Sequence, residues 1–182
     1  VWCVDYESWK AVREELGANA VAYLDASGFK PDAGNYALVP DNKGGVAGCL
    51  LGLGKDGNSA DPMLAGKLAT VLPEGDWKFA RAPHDARLAA IAFALSTYRF
   101  ARYRAGKGKQ LRLVAPSNVD AKEVTRIAEG MALARDLVNT PSNDLGPVEL
   151  EAAIRTLAKK HGAKTASIVG KDLLKKNFPL VY

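Results

Sequence analysis

The stretch ARDLVNTPSNDLGP, residues 134–147, has the pattern of a helix end, a polar turn and the start of a new helix. Pro141 cannot continue a helix, and it disfavours the α conformation at the residue before it. Pro147 suits the first position of a helix, where no backbone N–H is needed. The sequence therefore predicts one helix over residues 118–138, a break, and another over residues 147–162.

The residues before this break alternate between helix and strand patterns. Ser8 is a plausible N-cap, Gly17 divides the first helical stretch, and Asp61 precedes Pro62 as a cap should. Residues 36–39 and 46–53 are apolar runs around a DNKGG turn and are predicted to form a hairpin. We predict helices over residues 8–28, 62–72 and 85–104, and further strands over 77–80 and 111–115. This order indicates an α/β fold with a mixed sheet flanked by helices.

After the break the pattern continues but is short. Residues 164–169 alternate as a strand, residues 170–176 suit a short helix or turn, and residues 180–182 begin a strand. Strands usually run about 5–6 residues, so the sequence stops inside an element. We predict an α/β domain over residues 1–117, a connecting helix over 118–138, and the truncated start of a second α/β domain over 139–182.

Composition excludes several classes. Of 182 residues, 48% are hydrophobic and 25% are charged, which is the balance of a globular protein. No run approaches the roughly 18 apolar residues of a membrane span, and the first residues lack a signal-peptide pattern. Cys3 and Cys49 are too few for a disulfide scaffold, so we predict two buried thiols in a reducing compartment.

The net charge of +5 is concentrated in one segment, because residues 81–112 carry eight basic side chains and one acidic side chain. Several cations on one surface can bind a polyanion such as nucleic acid. The alternative, which we favour, is a solvent-facing helix end, since most charge runs face water. The candidate polyanion-binding residues are Arg99, Arg102, Arg104, Lys107, Lys109 and Arg112.

Gly52, Gly54 and Gly57 form a literal G-x-G-x-x-G after a predicted strand. In a dinucleotide-binding unit a helix must begin within this motif, so that its N-terminus meets the pyrophosphate. Here the next helix begins only at Pro62, which argues against a Rossmann site.

Neither histidine is a strong catalytic candidate. His84 precedes a helix and could cap it, and His161 lies in a last helical turn, where a cation is favoured. The sequence contains no H-E-x-x-H and no Walker-type phosphate loop. We therefore predict no catalytic, cofactor-binding or metal-binding residue in this chain.

Four segments, in this order, resemble the leucyl aminopeptidase (cytosol aminopeptidase) family. They are GVAGCLLGLG at residues 45–54, AFALSTYRFARYR at 92–104, ARDLVNTPSND at 134–144, and the helix over 147–162. The resemblance covers roughly residues 36–182. It implies a macro-domain-like N-terminal domain, a helix, and a larger catalytic domain downstream.

The resemblance also implies a cytoplasmic, hexameric peptidase in which two divalent metal ions (zinc, manganese or magnesium) hydrolyse peptides from the N-terminus. The family's ligand motifs, roughly V-G-K-G with D-S-G-G and then N-T-D-A-E-G-R, are absent here. Asn139 and Thr140 are followed by Pro141 and not by Asp-Ala-Glu. We therefore expect an N-terminal portion that is inactive alone and serves assembly or access to the active site.

Two other functions follow from the same resemblance. Macro domains bind ADP-ribose, but fold alone does not confer function, and the only phosphate-loop candidate is the glycine motif above. Some members of the family bind DNA, which is the second reason to consider the basic segment. Neither alternative is favoured.

Overall fold

The computed structural model describes residues 1–104, 106 and 108–182. The chain forms two compact units, Val1–Arg135 and Asp136–Tyr182. No helix in the described part of the chain has the length and hydrophobicity needed to cross a bilayer.

A three-stranded sheet lies at the centre of the first unit. Strand β3 (Val46–Gly54) pairs in parallel with β1 (Trp2–Asp5) and antiparallel with β2 (Tyr36–Pro40). The predicted hairpin of β2 and β3 is confirmed. Its turn is closed by the Asp41 carboxylate, which accepts hydrogen bonds of 2.7 Å from the amides of Lys43 and Gly45.

Two further strands form a second, two-stranded sheet. Strands β4 (Gly75–Lys78) and β5 (Leu111–Val114) are parallel neighbours. Just after β4 the chain runs beside β1: the amide of Cys3 donates to the Arg81 carbonyl at 2.9 Å, and the amide of Ala80 donates to the Val1 carbonyl at 2.8 Å. The end of β4 therefore lies next to β1, on the side opposite β3.

Helices cover both faces of the sheet. Helices α1 (Ser8–Glu15) and α2 (Ala18–Ala26) enclose one core, which contains Val4, Val12, Leu24, Val39 and Leu50. The opposite core contains Cys3, Cys49, Leu51, Leu68, Leu72 and Phe93. It lies under a 3-10 helix (Pro62–Lys67), α3 (Leu68–Val71) and α4 (Ala86–Ser96). The prediction of a mixed sheet flanked by helices is confirmed.

Helix α5 (Ala121–Asn139) belongs to the first unit up to Arg135, and this part packs on α4 near both of its ends. Val124 is buried with Ala90 and Ile91, and Arg87 of α4 makes two hydrogen bonds, of 3.1 and 2.7 Å, to Glu123. Farther along, Arg135 donates to the Leu95 carbonyl at 3.0 Å. These contacts make α5 part of the first unit as far as Arg135.

The second unit consists of the end of α5, α6 (Pro147–Lys160) and α7 (Asp172–Lys175). Glu149 accepts a 2.9 Å hydrogen bond from the Gly146 amide at the start of α6, and Gly162 has a φ of +66° after its end. The predicted helix break and restart around Pro141 and Pro147 are confirmed.

Two predicted strands in this unit are wrong, because residues 164–169 and 180–182 belong to no strand. A strand needs a neighbour that accepts its backbone hydrogen bonds, and the second unit offers none. Residues 165–167 are instead tied to α6 by side chains: Arg155 donates to Ser167 at 2.7 Å, and Ser167 donates to Glu151. The hydrogen bonds from Ser167 and Arg155 lower the pKa of Glu151.

Two predicted helices are also shorter than expected. Helix α4 ends at Ser96 and not at residue 104, since side chains take up its last carbonyls: Thr97 donates to Ala94 and Arg135 to Leu95. The helix predicted over residues 62–72 is 3-10 in its first part, where Gly66 crosses α4 closely. A Cβ there would lie 2.5 Å from the Ser96 Oγ.

Candidate functional site

The candidate site is a cavity of about 230 Å³ at the carboxyl ends of β1 and β3. After β1 the chain continues into α1 on one face of the sheet, and after β3 into the 3-10 helix on the other. Adjacent parallel strands connected to opposite faces leave a crevice at their carboxyl ends, where open α/β sheets bind ligands. The polar residues around the cavity are Asp5, Ser8, Asn58, Arg81 and His84.

Asp5 ends β1, and its carboxylate joins three parts of the first unit. Oδ1 accepts from the Ser8 amide at 2.7 Å and from the Ser8 hydroxyl at 2.6 Å, while Oδ2 accepts from the Gly57 amide at 2.9 Å. Burial acts to raise the pKa of Asp5, but the hydrogen bonds from Ser8 and Gly57 and the charge of Arg81 outweigh it and hold the pKa below 3.8. The prediction that the Ser8 side chain caps α1 is wrong, because Asp5 accepts the bond from the Ser8 amide.

His84 contacts the carbonyl group of Gly57, the residue whose amide donates to Asp5. Its Nδ1 lies 3.1 Å from the Gly57 carbonyl oxygen. A carbonyl only accepts, so Nδ1 carries the proton in this contact and Nε2 keeps a lone pair when the ring is neutral. The prediction that His84 caps α4 is wrong, since Asp85 accepts the capping bond from the Leu88 amide at 2.8 Å.

The glycine motif beside the cavity is used for backbone contacts within the fold. Gly52 donates to the Asn35 carbonyl at 2.7 Å, and Gly54, with φ +91°, donates to the Pro31 carbonyl at 2.8 Å. A Cβ on Gly57 would lie 2.5 Å from the Asp5 Oδ2. Each glycine thus has an internal partner, and the first helix after the motif begins only at Pro62, as the sequence argument against a dinucleotide site requires.

Two of the predicted polyanion-binding residues are engaged elsewhere. Lys109 donates to the Thr70 and Leu72 carbonyls at 2.7 and 3.3 Å, which satisfies the end of α3. Arg112 makes hydrogen bonds of 2.7 and 2.8 Å to the two Asp76 oxygens across β4 and β5.

The remaining basic residues lie in the segment after α4. Arg99, Arg102 and Arg104 are exposed, and the Arg102 guanidinium lies 5.8 Å from the centre of the Tyr103 ring. Lys107 lies outside the described residues. Polyanion binding by this segment stays a prediction.

Comparison with known proteins identifies the family. Residues 5–116 match the model for the N-terminal domain of M17 aminopeptidases. The chain belongs to the M17 aminopeptidase family. This confirms the resemblance to leucyl aminopeptidases seen in the sequence.

Several relatives align with nearly all of the 182 residues of this chain. The probable cytosol aminopeptidase of Corynebacterium glutamicum is 30% identical over 178 residues, which is 90% of this chain and 35% of that protein. The crystal structure of the Coxiella burnetii cytosol aminopeptidase aligns with a TM-score of 0.85 and 31% identity over 98% of this chain and 39% of that one. The bottromycin maturation enzyme BotP in complex with Mn aligns with a TM-score of 0.67 and 27% identity over 88% and 37%.

The M17 chain therefore spans between 35% and 39% of the length of these relatives. Among its described residues, no group of three or more His, Cys, Asp or Glu side chains is placed to hold a metal ion. In the cavity, the Asp5 carboxylate accepts hydrogen bonds from Ser8 and Gly57, and the Nδ1 atom of His84 contacts the Gly57 carbonyl. The described residues do not fit a pair of divalent ions.

Sequence reasoning did not single out Asp5 or Arg81. The spacing of Asp5 at the end of an apolar run, three residues before Ser8, is a local signal for the cap. The contact of Asp5 with Gly57, 52 residues away, has no local signal.

Proposed function

We propose that this chain is the N-terminal portion of a metal-dependent aminopeptidase that removes N-terminal amino acids from peptides. The observation that carries the proposal is the alignment of 98% of the chain, with a TM-score of 0.85, onto a protein named cytosol aminopeptidase. We also propose a cytosolic location, because the relatives from Corynebacterium glutamicum and Coxiella burnetii are both named cytosol aminopeptidases.

The chemistry is proposed to reside in the part of such an enzyme beyond these residues. One relative is described in complex with Mn, and divalent ions in such sites polarise a carbonyl and activate a water. The described residues offer no donor set for these ions. We therefore propose that the 182-residue chain alone does not hydrolyse peptides.

Within the chain we propose the division already drawn from the sequence. Residues 1–117 form the N-terminal α/β domain, residues 118–138 connect, and residues 139–182 begin the catalytic domain. The ion pair of Arg87 with Glu123 near the start of this helix and the bond of Arg135 to Leu95 near its end support a connecting helix that packs on α4.

Exposed apolar side chains in the second unit support a role in a larger structure. Helix α6 has no buried residue, and Val148, Ile154 and Leu157 on it are exposed. Contiguous exposed apolar surface marks an interaction site. We propose that the rest of the catalytic domain covers α6, and that the complete enzyme assembles as a hexamer.

The test is a hydrolysis and metal-binding assay on the purified chain. We expect no turnover of leucine amide or a leucyl dipeptide with added Mn²⁺ or Zn²⁺, and no stoichiometric binding of either ion by calorimetry. The Coxiella burnetii cytosol aminopeptidase, assayed in parallel, serves as the positive control. Turnover by the 182-residue chain would refute the proposal of inactivity.

Nucleic-acid binding and ADP-ribose binding have less support. Lys109 and Arg112 already have internal partners, and the cavity of about 230 Å³ is smaller than the roughly 300 Å³ at which drug-sized ligand pockets begin. Phosphate-mediated binding weakens steeply with salt. A gel shift that persists at physiological salt would support nucleic-acid binding. Saturable heat in a calorimetric titration with ADP-ribose would support ADP-ribose binding.

A further inference from the structure

The cavity at the carboxyl ends of β1 and β3 contains polar groups whose bonding capacity is only partly used. A carboxylate offers about four lone-pair sites. In Asp5, two are taken on Oδ1 by Ser8 and one on Oδ2 by Gly57. One acceptor site remains on Oδ2, on a carboxylate whose position is fixed by its other contacts.

Arg81 supplies the opposite charge at the same cavity. Its backbone is fixed beside β1, because its carbonyl accepts from Cys3 at 2.9 Å and its amide donates to Val1 at 3.3 Å. Its guanidinium makes no hydrogen bond or ion pair with any residue that the structure describes. Five N–H donors in a planar fork match a carboxylate in a bidentate arrangement.

Two further groups complete the polar lining. Nε2 of His84 and the side-chain amide of Asn58 have no hydrogen-bond partner within the described ranges. Leu53 and Pro83 provide apolar wall beside them. The cavity thus presents one anionic acceptor, one cationic donor and two further polar groups to a ligand.

We propose that this cavity binds a free α-amino acid in its zwitterionic form, with the Arg81 guanidinium on the α-carboxylate and the Asp5 carboxylate on the α-ammonium. An inorganic anion would bring its charge close to Asp5, and a simple cation would bring its charge close to Arg81. A zwitterion of small size satisfies both charges at once, and about 230 Å³ suits such a ligand better than a nucleotide.

The inference goes beyond the proposed function. An aminopeptidase releases free amino acids, so a product of that class would occupy the cavity as its concentration rises. The test measures ligand binding to this chain and does not measure hydrolysis. Failure of this inference can therefore be distinguished from failure of the proposed function.

The experiment is calorimetric titration of the 182-residue chain with L-leucine, leucinamide, N-acetyl-leucine and inorganic phosphate. We expect saturable binding of leucine, and binding weaker by about tenfold or more for leucinamide, which lacks the carboxylate, and for N-acetyl-leucine, which lacks the ammonium. Phosphate should bind no better than N-acetyl-leucine.

The variant R81Q should weaken leucine binding by about tenfold, because it removes the charge and the guanidinium fork but keeps a polar side chain. The matched control R126Q removes an exposed arginine on α5, away from the cavity, and should leave binding unchanged. Asp5 is kept, since its substitution would also release Ser8 and Gly57.

Three results would overturn the proposal. The first is that leucine gives no saturable heat. The second is that phosphate or N-acetyl-leucine binds as tightly as leucine does. The third is that R81Q binds leucine as tightly as the unchanged chain. The second would show an anion site only. Circular dichroism of R81Q confirms that any loss comes from a folded protein.

Discussion

The carbonyl of Asp32 crosses Gly52 so closely that a Cβ at Gly52 would lie 2.2 Å from its oxygen. The crossing is fixed by backbone hydrogen bonds: Gly34 donates to Gly52 at 2.9 Å, and Gly52 donates to Asn35 at 2.7 Å. The segment before β2 therefore adds its own hydrogen bonds to the end of β3. A glycine here is required by the approach of one backbone to another and not by a phosphate.

The substitution G52A should lower the free energy of unfolding by about 3 kcal/mol or more, since the backbone of residues 31–32 must move. The matched control is G130A in the middle of α5, where a Cβ meets nothing within 4 Å. G130A should raise the free energy of unfolding by about 0.5–1 kcal/mol. Urea denaturation measures both, and equal stability of G52A and the unchanged chain would contradict the crossing.

Asp5 gives the stability a component that depends on pH. Its pKa in the folded chain lies below 3.8, so its ionised form stabilises the fold above pH 3.8, and this contribution is lost as the pH falls through the folded pKa. D5N should be less stable than the unchanged chain at pH 7, and the difference should shrink progressively as the pH falls below 3.8. Denaturation curves at pH 7 and at a series of pH values below 3.8 measure the difference, and a constant difference would show that ionisation of Asp5 does not contribute to stability.

Cys3 and Cys49 should resist thiol reagents while the chain is folded. Burial raises the pKa of Cys3 to about 12 and that of Cys49 to about 11, and both thiols are buried. The thiolate is the reactive form, so both should label slowly at pH 8 and quickly in denaturant. Mass spectrometry after timed iodoacetamide labelling follows this, and fast modification of either cysteine in the folded chain would contradict the burial.

Much of the first unit was predictable because its signals are local. The apolar run of β3, the turn at Asp41 and the Asp61–Pro62 helix start each depend on a few neighbouring residues, and each lies where the sequence predicts it. The end of α4 at Ser96 was not predictable. Besides the local bond from Thr97, the end of α4 involves Arg135, which donates to Leu95 from 40 residues farther along the chain.

The second unit shows the same limit more strongly. Residues 164–169 alternate as a strand should, but alternation does not supply a neighbouring strand. In the cavity, neither the Asp5–Gly57 bond nor the placement of Arg81 beside β1 has a local signature. The resemblance in the sequence indicated the family, which the comparison with known proteins confirms, whereas the cavity required the fold.

The apolar side chains of α6 distinguish a free surface from a core. Ile154 is 52% exposed, whereas Val124 on α5 is 9% exposed and packs with Ala90 and Ile91. The substitution I154S should therefore change the free energy of unfolding of this chain by less than about 0.5 kcal/mol. V124A removes buried apolar volume and should cost about 1–2 kcal/mol.

The same pair of variants should separate in a second measurement. Because I154S removes exposed apolar surface, it should reduce both the binding of a hydrophobic dye and any self-association seen by sedimentation, while V124A reduces neither. If residues that follow this chain in a longer M17 enzyme cover α6, Ile154 is buried there. I154S should then destabilise the longer enzyme by several times its effect here. Equal effects of I154S in both would mean that nothing covers this face of α6, which would contradict the proposal that the second unit begins the catalytic domain.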